Sequence, residues 1–268
     1  MFELSPAQLA QYEADGYVMV EQLFSREEMD LLLRIGKADR KIQLDATDRS
    51  DSQGFVTRLT VRNTLESDMY SAIARCRRVV RPMEQLLGGE VYHYHHKMML
   101  KEPEVGGAWE WHQDYGYWYN NGCLYPLMAS CMIAVDRATK ANGCLQVVPG
   151  SQHLGRLDHG KVAGQTGVDP ERMAQVLERL PLVYAEMEPG TALFFHGNTL
   201  HRSDANLSKD SRWTLICCYN AARNNPYKEH HHPCYMPLEQ WQDERVLEAG
   251  KAHWAELEQA LAQGVVAP

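Results

Sequence analysis

The sequence predicts a mainly β protein with flanking helices. From about residue 90 to 226 it consists of short runs rich in β-branched and aromatic residues, separated by turn-forming glycine, proline and asparagine. The segments on either side instead carry helix start and stop signals. Many short strands with helices at both ends are typical of a double-sheet jelly roll, so we expect a cupin-like double-stranded β-helix core.

A single domain is expected over residues 1–268, because mainly-β domains of this length commonly remain undivided. Its parts are a mostly helical segment at 1–89, the jelly-roll core at about 90–226 and a C-terminal helix at about 238–263. No repeat or low-complexity segment interrupts this order in the sequence.

Capping signals define the N-terminal elements. Ser5 followed by Pro6 begins a helix that Gly16 ends. Ser25 and Glu28 have the spacing of a capping box, which begins a second helix. The further expected elements are a strand at 17–24, a third helix at 68–87 that is bent at Pro82, and a polar loop at 45–55.

The core elements follow from apolar runs bounded by turns. One helix is expected among them, at 169–180. The expected strands are 90–100, 108–118, 128–135, 144–150, 191–197 and 212–220.

Composition and charge exclude several classes of partner. The formal net charge of −8 provides no concentrated basic face for nucleic acid. No apolar run approaches the length needed to span a membrane, and the acidic N-terminus lacks the features of a signal peptide. None of the seven cysteines falls in a C-x-x-C pair, and the adjacent Cys217 and Cys218 would face opposite sides of a strand, so we expect reduced thiols and a cytoplasmic location. The sequence does not indicate an oligomeric state.

The stretch WEWHQDYGYWYNNG, residues 109–122, contains the first candidate metal ligands. Residues two apart in a strand point to the same face, so His112 and Asp114 would project together. His201 follows a later strand and is the candidate third ligand. Two histidines and one carboxylate form the facial triad that holds Fe(II) and leaves positions open. A structural zinc site would instead require a fourth protein ligand.

Arg212 follows His201 across a turn-like segment. A hairpin there would place Arg212 beside His201, where its guanidinium fork matches a carboxylate. Ser203 faces the same way as His201 and would share that carboxylate. The alternative is a cross-strand ion pair between Arg212 and Asp204 or Asp210.

These residues follow the order H-x-D, then H-x-S-x-x-N-x-S-x-x-x-R. The chain thereby resembles the phytanoyl-CoA dioxygenase family of Fe(II)- and 2-oxoglutarate-dependent oxygenases, from about Pro6 to Pro226. Within the family, the aromatic segment 109–122 is similar to that of ectoine hydroxylases and free-amino-acid hydroxylases. The motif residues are His112, Asp114, His201, Ser203, Asn206, Ser208 and Arg212.

The resemblance implies an iron site formed by His112, Asp114 and His201. It also implies that 2-oxoglutarate chelates the iron and that Arg212, helped by Ser203, binds its far carboxylate. O₂ is the other cosubstrate, and succinate and CO₂ are released as a substrate C–H bond is hydroxylated. Halogenases of this type replace the carboxylate ligand by glycine or alanine, so Asp114 favours hydroxylation.

The resemblance also indicates residues around the cosubstrate and the substrate. His95 takes the place of a glutamine that contacts 2-oxoglutarate in close relatives. Tyr115 and Trp118 are expected beside the substrate, and Arg223 is a candidate anchor for its carboxylate. An aromatic-walled pocket suits a small amino-acid-like or zwitterionic molecule. The acidic chain offers no obvious docking surface for the phosphates of coenzyme A, which favours a free metabolite.

The remaining histidines have no clear signal for binding, and the sequence leaves the role of the loop histidines open, a lid included. His93 and His96 are interpreted as ordinary strand histidines. His196 is a rival metal ligand, but its spacing to Arg212 does not fit the motif. The loop histidines expected to be exposed are His230, His231 and His232.

Two other functions remain open from the sequence. The first is a non-catalytic metabolite-binding jelly roll that has kept the fold without turnover. The second is a cupin-like isomerase that uses zinc or manganese. A complete ligand set, together with Arg212 at the family's spacing, favours the oxygenase over both.

Overall fold

The structure, a computed structural model, describes residues 2–263. Helices dominate the N-terminal part, strands follow, and one long helix comes last. The helices are α1 (Pro6–Asp15), α2 (Arg26–Ala38), α3 (Arg40–Leu44), α4 (Met69–Arg75), α5 (Arg77–Leu87), α6 (Asp114–Trp118), α7 (Pro170–Leu177) and α8 (Arg245–Ala262). The strands are β1 (Tyr17–Val20), β2 (Thr47–Ser50), β3 (Val56–Arg62), β4 (Val91–Lys101), β5 (Trp109–His112), β6 (Met128–Ala134), β7 (Leu145–Val147), β8 (His159–Val162), β9 (Gln165–Val168), β10 (Val183–Ala185), β11 (Ala192–His196), β12 (His201–Ser203) and β13 (Arg212–Ala221).

Two antiparallel sheets form the jelly roll that the sequence predicts. The larger has seven strands in the order β1-β11-β6-β13-β4-β3-β2, and the smaller has four in the order β10-β7-β12-β5. A separate hairpin pairs β8 with β9. The expected fold class, a mainly β protein with flanking helices, is confirmed.

Apolar side chains fill two layers, one on each face of the larger sheet. Helices α1, α2, α4, α5 and α8 pack on one face, together with alternate strand residues such as Leu215 and Cys217. The intervening residues, Ile216 and Cys218, point into the space between the two sheets. The prediction that Cys217 and Cys218 face opposite sides is therefore confirmed, and it follows from the two-residue period of a strand.

The N-terminal caps are those that the sequence predicts. The Ser5 side chain accepts a hydrogen bond from the backbone N–H of Gln8, and Gly16 ends α1 in the left-handed conformation with φ 77°. Ser25 and Glu28 form the capping box that begins α2.

The expected third helix is two helices in the structure. Cys76 has an extended backbone and separates α4 from α5, whereas Pro82 lies within α5 without ending it. The cause is a bridge to Trp241, whose N–H donates to the carbonyl of Arg75 and whose carbonyl accepts from the N–H of Arg77. A long-range contact, rather than the proline, therefore sets this boundary.

Other boundaries also differ from the expected ones. The segment 45–55 contains β2, an exposed polar edge strand paired with β3. The last helix begins at Arg245 rather than near residue 238, because Asp243 is held by the backbone N–H of Arg78 at 2.9 Å. In the described part of the chain, none of the helices combines the length and apolar character needed to cross a membrane.

A buried ion pair fixes α2 against α5. The side chain of Glu28 is 5% exposed and pairs with Arg78, whose side chain is 13% exposed. Arg78 also donates to the carbonyl of Leu23 at 3.2 Å and lies over the ring of Phe24 at 4.1 Å. Removing one partner of such a pair leaves an uncompensated buried charge.

Replacing Glu28 by alanine is expected to lower the free energy of unfolding by about 3–5 kcal/mol, because Arg78 keeps only the 4.0 Å contact with Asp243 and the capping box of α2 loses its carboxylate. Denaturant unfolding followed by circular dichroism measures the change. Asp30→Ala is the matched control, since it breaks an exposed pair with Arg26 on the same helix and should cost at most about 1 kcal/mol. Equal effects of the two substitutions would contradict the role given to the buried pair.

Candidate active site

Three predicted ligands converge between the two sheets. His112 is the last residue of β5 and His201 the first of β12, and strand pairing places them directly opposite each other. Asp114 is the first residue of α6 and completes the group. The Oδ1 atom of Asp114 lies 3.8 Å from His112 Nε2 and 3.9 Å from His201 Nε2. All three side chains are buried, and we call them the triad.

The local structure around Asp114 differs from the expected one. The sequence predicted a continuous strand whose alternation would bring Asp114 to the face of His112. The strand instead ends at His112, and a helix begins at Asp114. The residue between them is held by a hydrogen bond from the backbone N–H of Gln113 to His159 Nε2 at 2.9 Å. The two ligands meet through this turn rather than through strand alternation.

Backbone carbonyls orient both imidazoles. The Nδ1 atom of His112 lies 2.8 Å from the carbonyl oxygen of Glu110, and that of His201 lies 2.9 Å from the carbonyl oxygen of Thr199. A carbonyl oxygen only accepts, so each Nδ1 carries the proton and each Nε2 has a free lone pair. Both lone pairs are therefore available to a metal, as is usual for histidine ligands.

The larger sheet orients the carboxylate. Ser130, in the middle of β6, donates its hydroxyl to Oδ2 of Asp114 at 2.9 Å. That bond leaves Oδ1, the oxygen nearest the two histidines, free to bind a metal.

The charge states of the triad also suit a metal. Burial first, and then the charge of His201, lower the pKa of His112, and burial lowers the pKa of His201 as well. Burial opposes ionisation of Asp114, but the positive charge of Lys97, then the two histidines and the bond from Ser130, lower its pKa overall. Neutral imidazoles and an ionised carboxylate are the forms that bind a metal.

The triad fits a divalent metal with open coordination positions. Each residue offers one ligand atom, and these atoms lie within 4.8 Å of one another. Within residues 2–263, no other set of three such side chains meets this spacing. Two histidines and one carboxylate are the donor set typical of Fe(II) oxygenases.

Arg212 reaches the site from the other sheet. It is the first residue of β13 and pairs with Lys101 in the larger sheet. His201 and Ser203 lie on β12 in the smaller sheet. The hairpin expected between His201 and Arg212 is therefore wrong, because the segment 204–211 crosses from one sheet to the other.

Two further motif residues shape this crossing. The side chain of Asn206 donates to the carbonyls of Lys101 and Asp210 at 3.3 and 2.8 Å. The hydroxyl of Ser208 in turn donates to Asn206 Oδ1 at 2.9 Å. Their role is to hold the chain that carries Arg212 rather than to bind a ligand.

Arg212 is a buried cation without an acidic partner. It is 2% exposed, its Nε has no hydrogen-bond partner among the described residues, and none of the ion pairs within 2–263 includes it. Asp204, an alternative partner, instead pairs with Arg202 and accepts from Gln146 Nε2 at 2.6 Å. Burial lowers the pKa of Arg212 to about 10. A buried guanidinium of this kind is a site for an anion.

Lys101 is a second buried cation at the same end, and it was not predicted from the sequence. Its Nζ donates to the hydroxyl of Ser203 at 2.9 Å and to the carbonyl of Asp204. Burial, followed by the charge of Arg212, lowers the pKa of Lys101. Ser203 is thus oriented by Lys101. The signal that could have found Lys101 is the alternation of β4, which gives it the inward face of His95.

His95 contacts Trp118 and lies apart from Lys101, which is the register partner of Arg212. His95 is six residues before Lys101 on the inward face of β4. Its ring meets that of Trp118 edge to face at 6.1 Å, and its Nδ1 has no hydrogen-bond partner in the described part of the chain. The contact of His95 with 2-oxoglutarate stays a prediction.

Tyr115 and Arg223 form other contacts. The Tyr115 hydroxyl donates to the carbonyl of Cys123 at 2.9 Å. The hydroxyl proton is therefore not available to a substrate. Arg223 donates to the carbonyls of Leu87 and Gly88 at 2.6 and 3.0 Å, where it caps the C-terminus of α5. The structure therefore gives Arg223 a role different from the expected carboxylate anchor.

His232 lies beside the site, although all three loop histidines were expected to be exposed. Its ring stacks on His95 at 4.6 Å and contacts Tyr94 at 4.7 Å. Asn63 holds the loop, since its Oδ1 is 2.8 Å from His232 Nδ1 and its Nδ2 donates to the carbonyl of His231 at 2.7 Å. The expectation of exposure is wrong for His230 and His232, which are both half-buried, and His232 forms part of the wall next to His95.

Two other histidines have structural roles. His196 Nδ1 accepts from the N–H of Asn198 at 2.9 Å in the turn after β11, and His196 is not in the group with metal-ligand spacing found within residues 2–263, so it is not the rival ligand. The ring of His159 lies against Gly116, where an added Cβ would be 2.1 Å from it. Only glycine fits at this position of α6.

Comparison with known proteins places the chain in a family of oxygenases, which agrees with the donor set of the triad. The family model described as phytanoyl-CoA dioxygenase (PhyH) matches residues 12–214, so the chain belongs to that family. Together with the triad, this membership defines an Fe(II)- and 2-oxoglutarate-dependent oxygenase. The resemblance inferred from the motif is confirmed.

The chain is similar to two hydroxylating enzymes and to one solved structure. The chain is 34% identical to L-proline trans-4-hydroxylase of Streptomyces griseoviridis over 187 residues, which is 64% of this chain and 68% of that protein. It is 28% identical to ectoine dioxygenase of Bordetella parapertussis over 243 residues, 84% of this chain and 79% of that protein. The crystal structure of EctD from S. alaskensis with 2-oxoglutarate and 5-hydroxyectoine superposes with a TM-score of 0.75 at 25% identity, covering 89% of this chain and 88% of that one.

Replacing Ser130 by alanine is expected to weaken Fe(II) binding about 10- to 100-fold, because the carboxylate of Asp114 loses the bond that orients it. Anaerobic calorimetric titration with Fe(II) measures the affinity. Ser211→Ala is the matched control, since it breaks a serine–aspartate bond to Asp136 outside the site. An unchanged affinity in a folded Ser130→Ala protein would show that Asp114 is held by other means.

Proposed function

We propose that this protein hydroxylates a C–H bond of a small free metabolite, amino-acid-like or zwitterionic, while 2-oxoglutarate is converted to succinate and CO₂. The observation that carries the proposal is the buried, unpaired guanidinium of Arg212 near an open triad. A dicarboxylate that binds the metal at one end and Arg212 at the other fits this arrangement. The triad alone would be compatible with other metal chemistry.

The residues of the site have separate tasks. The triad would hold iron, which when bound supplies the O₂ activation that couples decarboxylation of 2-oxoglutarate to oxidation of the substrate. Arg212 neutralises the far carboxylate of 2-oxoglutarate. Ser203 donates a hydrogen bond to the same carboxylate, with Lys101 fixing its hydroxyl. Trp118 and His95 bound the space left for the substrate and limit the access of water.

The proposed substrate class has independent support. The similar proteins are named for L-proline and for ectoine, and the aromatic surroundings of Trp118 suit molecules of that size. The net charge of −8 disfavours an acyl-CoA, whose phosphates need a basic surface. We also propose a cytoplasmic location, supported by the seven cysteines, which are all free.

Arg212 also distinguishes this function from the alternatives. A zinc or manganese isomerase does not bind 2-oxoglutarate and therefore does not need a buried, unpaired guanidinium to bind its carboxylate. A binding protein without turnover does not need all three metal ligands, nor the hydrogen bonds that orient them toward a metal. Asp114, fixed by Ser130, fills the position that halogenases leave free, which favours hydroxylation.

The function is tested by adding Fe(II) and then 2-oxoglutarate under anaerobic conditions and recording the visible metal-to-ligand charge-transfer band. The band is expected in the wild-type protein and lost in His201→Ala. In Arg212→Met, the 2-oxoglutarate concentration needed for half of the band should rise about 10- to 100-fold, because the charged bond to the far carboxylate is gone. Arg179→Met is the matched control, since Arg179 is exposed on the surface. Iron binding without a band would favour the isomerase or the binding protein.

A further inference from the structure

Lys97 lies in the middle of the site, on the inward face of β4. Strand register pairs it with Ile216 of β13 and Val61 of β3. Ile216 belongs to the apolar layer between the two sheets, and so does Met99, two residues along the strand from Lys97. Side chains in register and two apart share a face, so the Lys97 ammonium is directed between the sheets.

The Lys97 ammonium has no partner in the described part of the chain. It takes part in none of the hydrogen bonds or ion pairs found within residues 2–263, and it is half-buried rather than solvated. Its charge still acts on the triad, where it is the largest influence lowering the pKa of Asp114. It acts likewise on His95 and His232. Lys97 and His95 are two residues apart on the same face of β4, and the His95 ring stacks on His232.

The charges around this position are unbalanced. Arg212 and Lys101 add positive charge further along the site, and Asp114 is the acidic group that acts on the triad histidines. Asp204 and Asp51 act on Lys101 and offset part of that charge, whereas no carboxylate is ion-paired or hydrogen-bonded to Lys97 within residues 2–263. Arg223, the cation expected to anchor the substrate, is tied to α5 instead. An uncompensated cation facing a binding space favours an anionic ligand.

We propose that Lys97 binds a carboxylate of the primary substrate, which is therefore a small free carboxylic acid of the amino-acid type. This inference rests on the proposed function and deepens it. Trp118, His95 and His232 enclose the rest of the molecule, and the carboxylate at Lys97 fixes which C–H bond faces the metal.

The cosubstrate is the competing partner for Lys97, and strand spacing disfavours it. Lys97 and Lys101 are four residues apart in an extended strand, about 13 Å. The carbon chain of 2-oxoglutarate spans only about 5 Å between its end carbons. Those roughly 13 Å separate the two Cα atoms, so a cosubstrate anchored beside Lys101 by Arg212 would contact Lys97 as well only if the two lysine side chains turned toward each other.

The test uses Lys97→Met, with Lys97→Arg to restore the charge and Lys251→Met as the control. Lys251 is an exposed lysine on α8, far from the machinery described here. Each protein is loaded anaerobically with Fe(II) and 2-oxoglutarate, and the charge-transfer band is followed while common free L-amino acids or their carboxamides are added. The probes within each pair differ only in the charge of one group.

At least one free amino acid is expected to perturb the wild-type band, with its carboxamide binding about 10- to 100-fold more weakly. In Lys97→Met the affinity for the free amino acid should fall by a similar factor. The difference in affinity between the acid and its carboxamide should then disappear. Lys97→Arg should restore most of that difference. Affinity for 2-oxoglutarate should stay within about twofold of wild type in all three variants.

Three results would overturn the inference while leaving the oxygenase intact. Acid and amide could bind alike in the wild type, or no acid could perturb a band that forms normally. Alternatively, Lys97→Met could lose affinity for 2-oxoglutarate rather than for the acid, which would assign Lys97 to the cosubstrate. Failure of the wild-type band itself would instead contradict the proposed function, so the two failures are distinct.

Discussion

The site depends on one strand pairing, that of β12 with β5, because it sets His201 opposite His112. Carbonyls within the same short segments then fix both rings. The smaller sheet cannot complete the site alone, since the serine that orients Asp114 and the arginine proposed to bind the cosubstrate belong to the larger one. The packing of the two sheets, rather than either sheet, therefore defines the metal position and the space around it.

The sequence predicted the chemistry of the site better than its geometry. The triad and Arg212 were identified because their residue types and spacing form a specific motif. The hairpin expected before Arg212 was wrong, because spacing along the chain does not reveal whether consecutive strands pair or belong to facing sheets. Asp114 was assigned correctly by a mistaken route: a helix start, not strand alternation, brings it to His112.

The residues that sequence reasoning did not find fall into two kinds. Lys97 and Lys101 sit at alternate positions of a strand that is otherwise buried, so their inward orientation was open to prediction from the two-residue period. The packing of His232 could not be predicted in this way. Asn63, which holds it, lies 169 residues away, and neither residue carries a local signal of the contact. Local patterns reveal the face on which a residue lies, whereas the closure of a loop depends on tertiary contacts.

The inward face of β4 carries cations that lie beside the positions proposed for the cosubstrate and the substrate. Buried or half-buried cations without acidic partners cost stability in the protein alone, so their presence marks positions where anions bind. Lys101, with Arg212, lies at one end of this face and Lys97 lies four residues away, toward His95 and the triad. Because a strand extends about 3.3 Å per residue, the Cα atoms of the two lysines are about 13 Å apart. The inferred arrangement therefore lets the cosubstrate and the substrate approach the triad from different directions, each guided by its own cation.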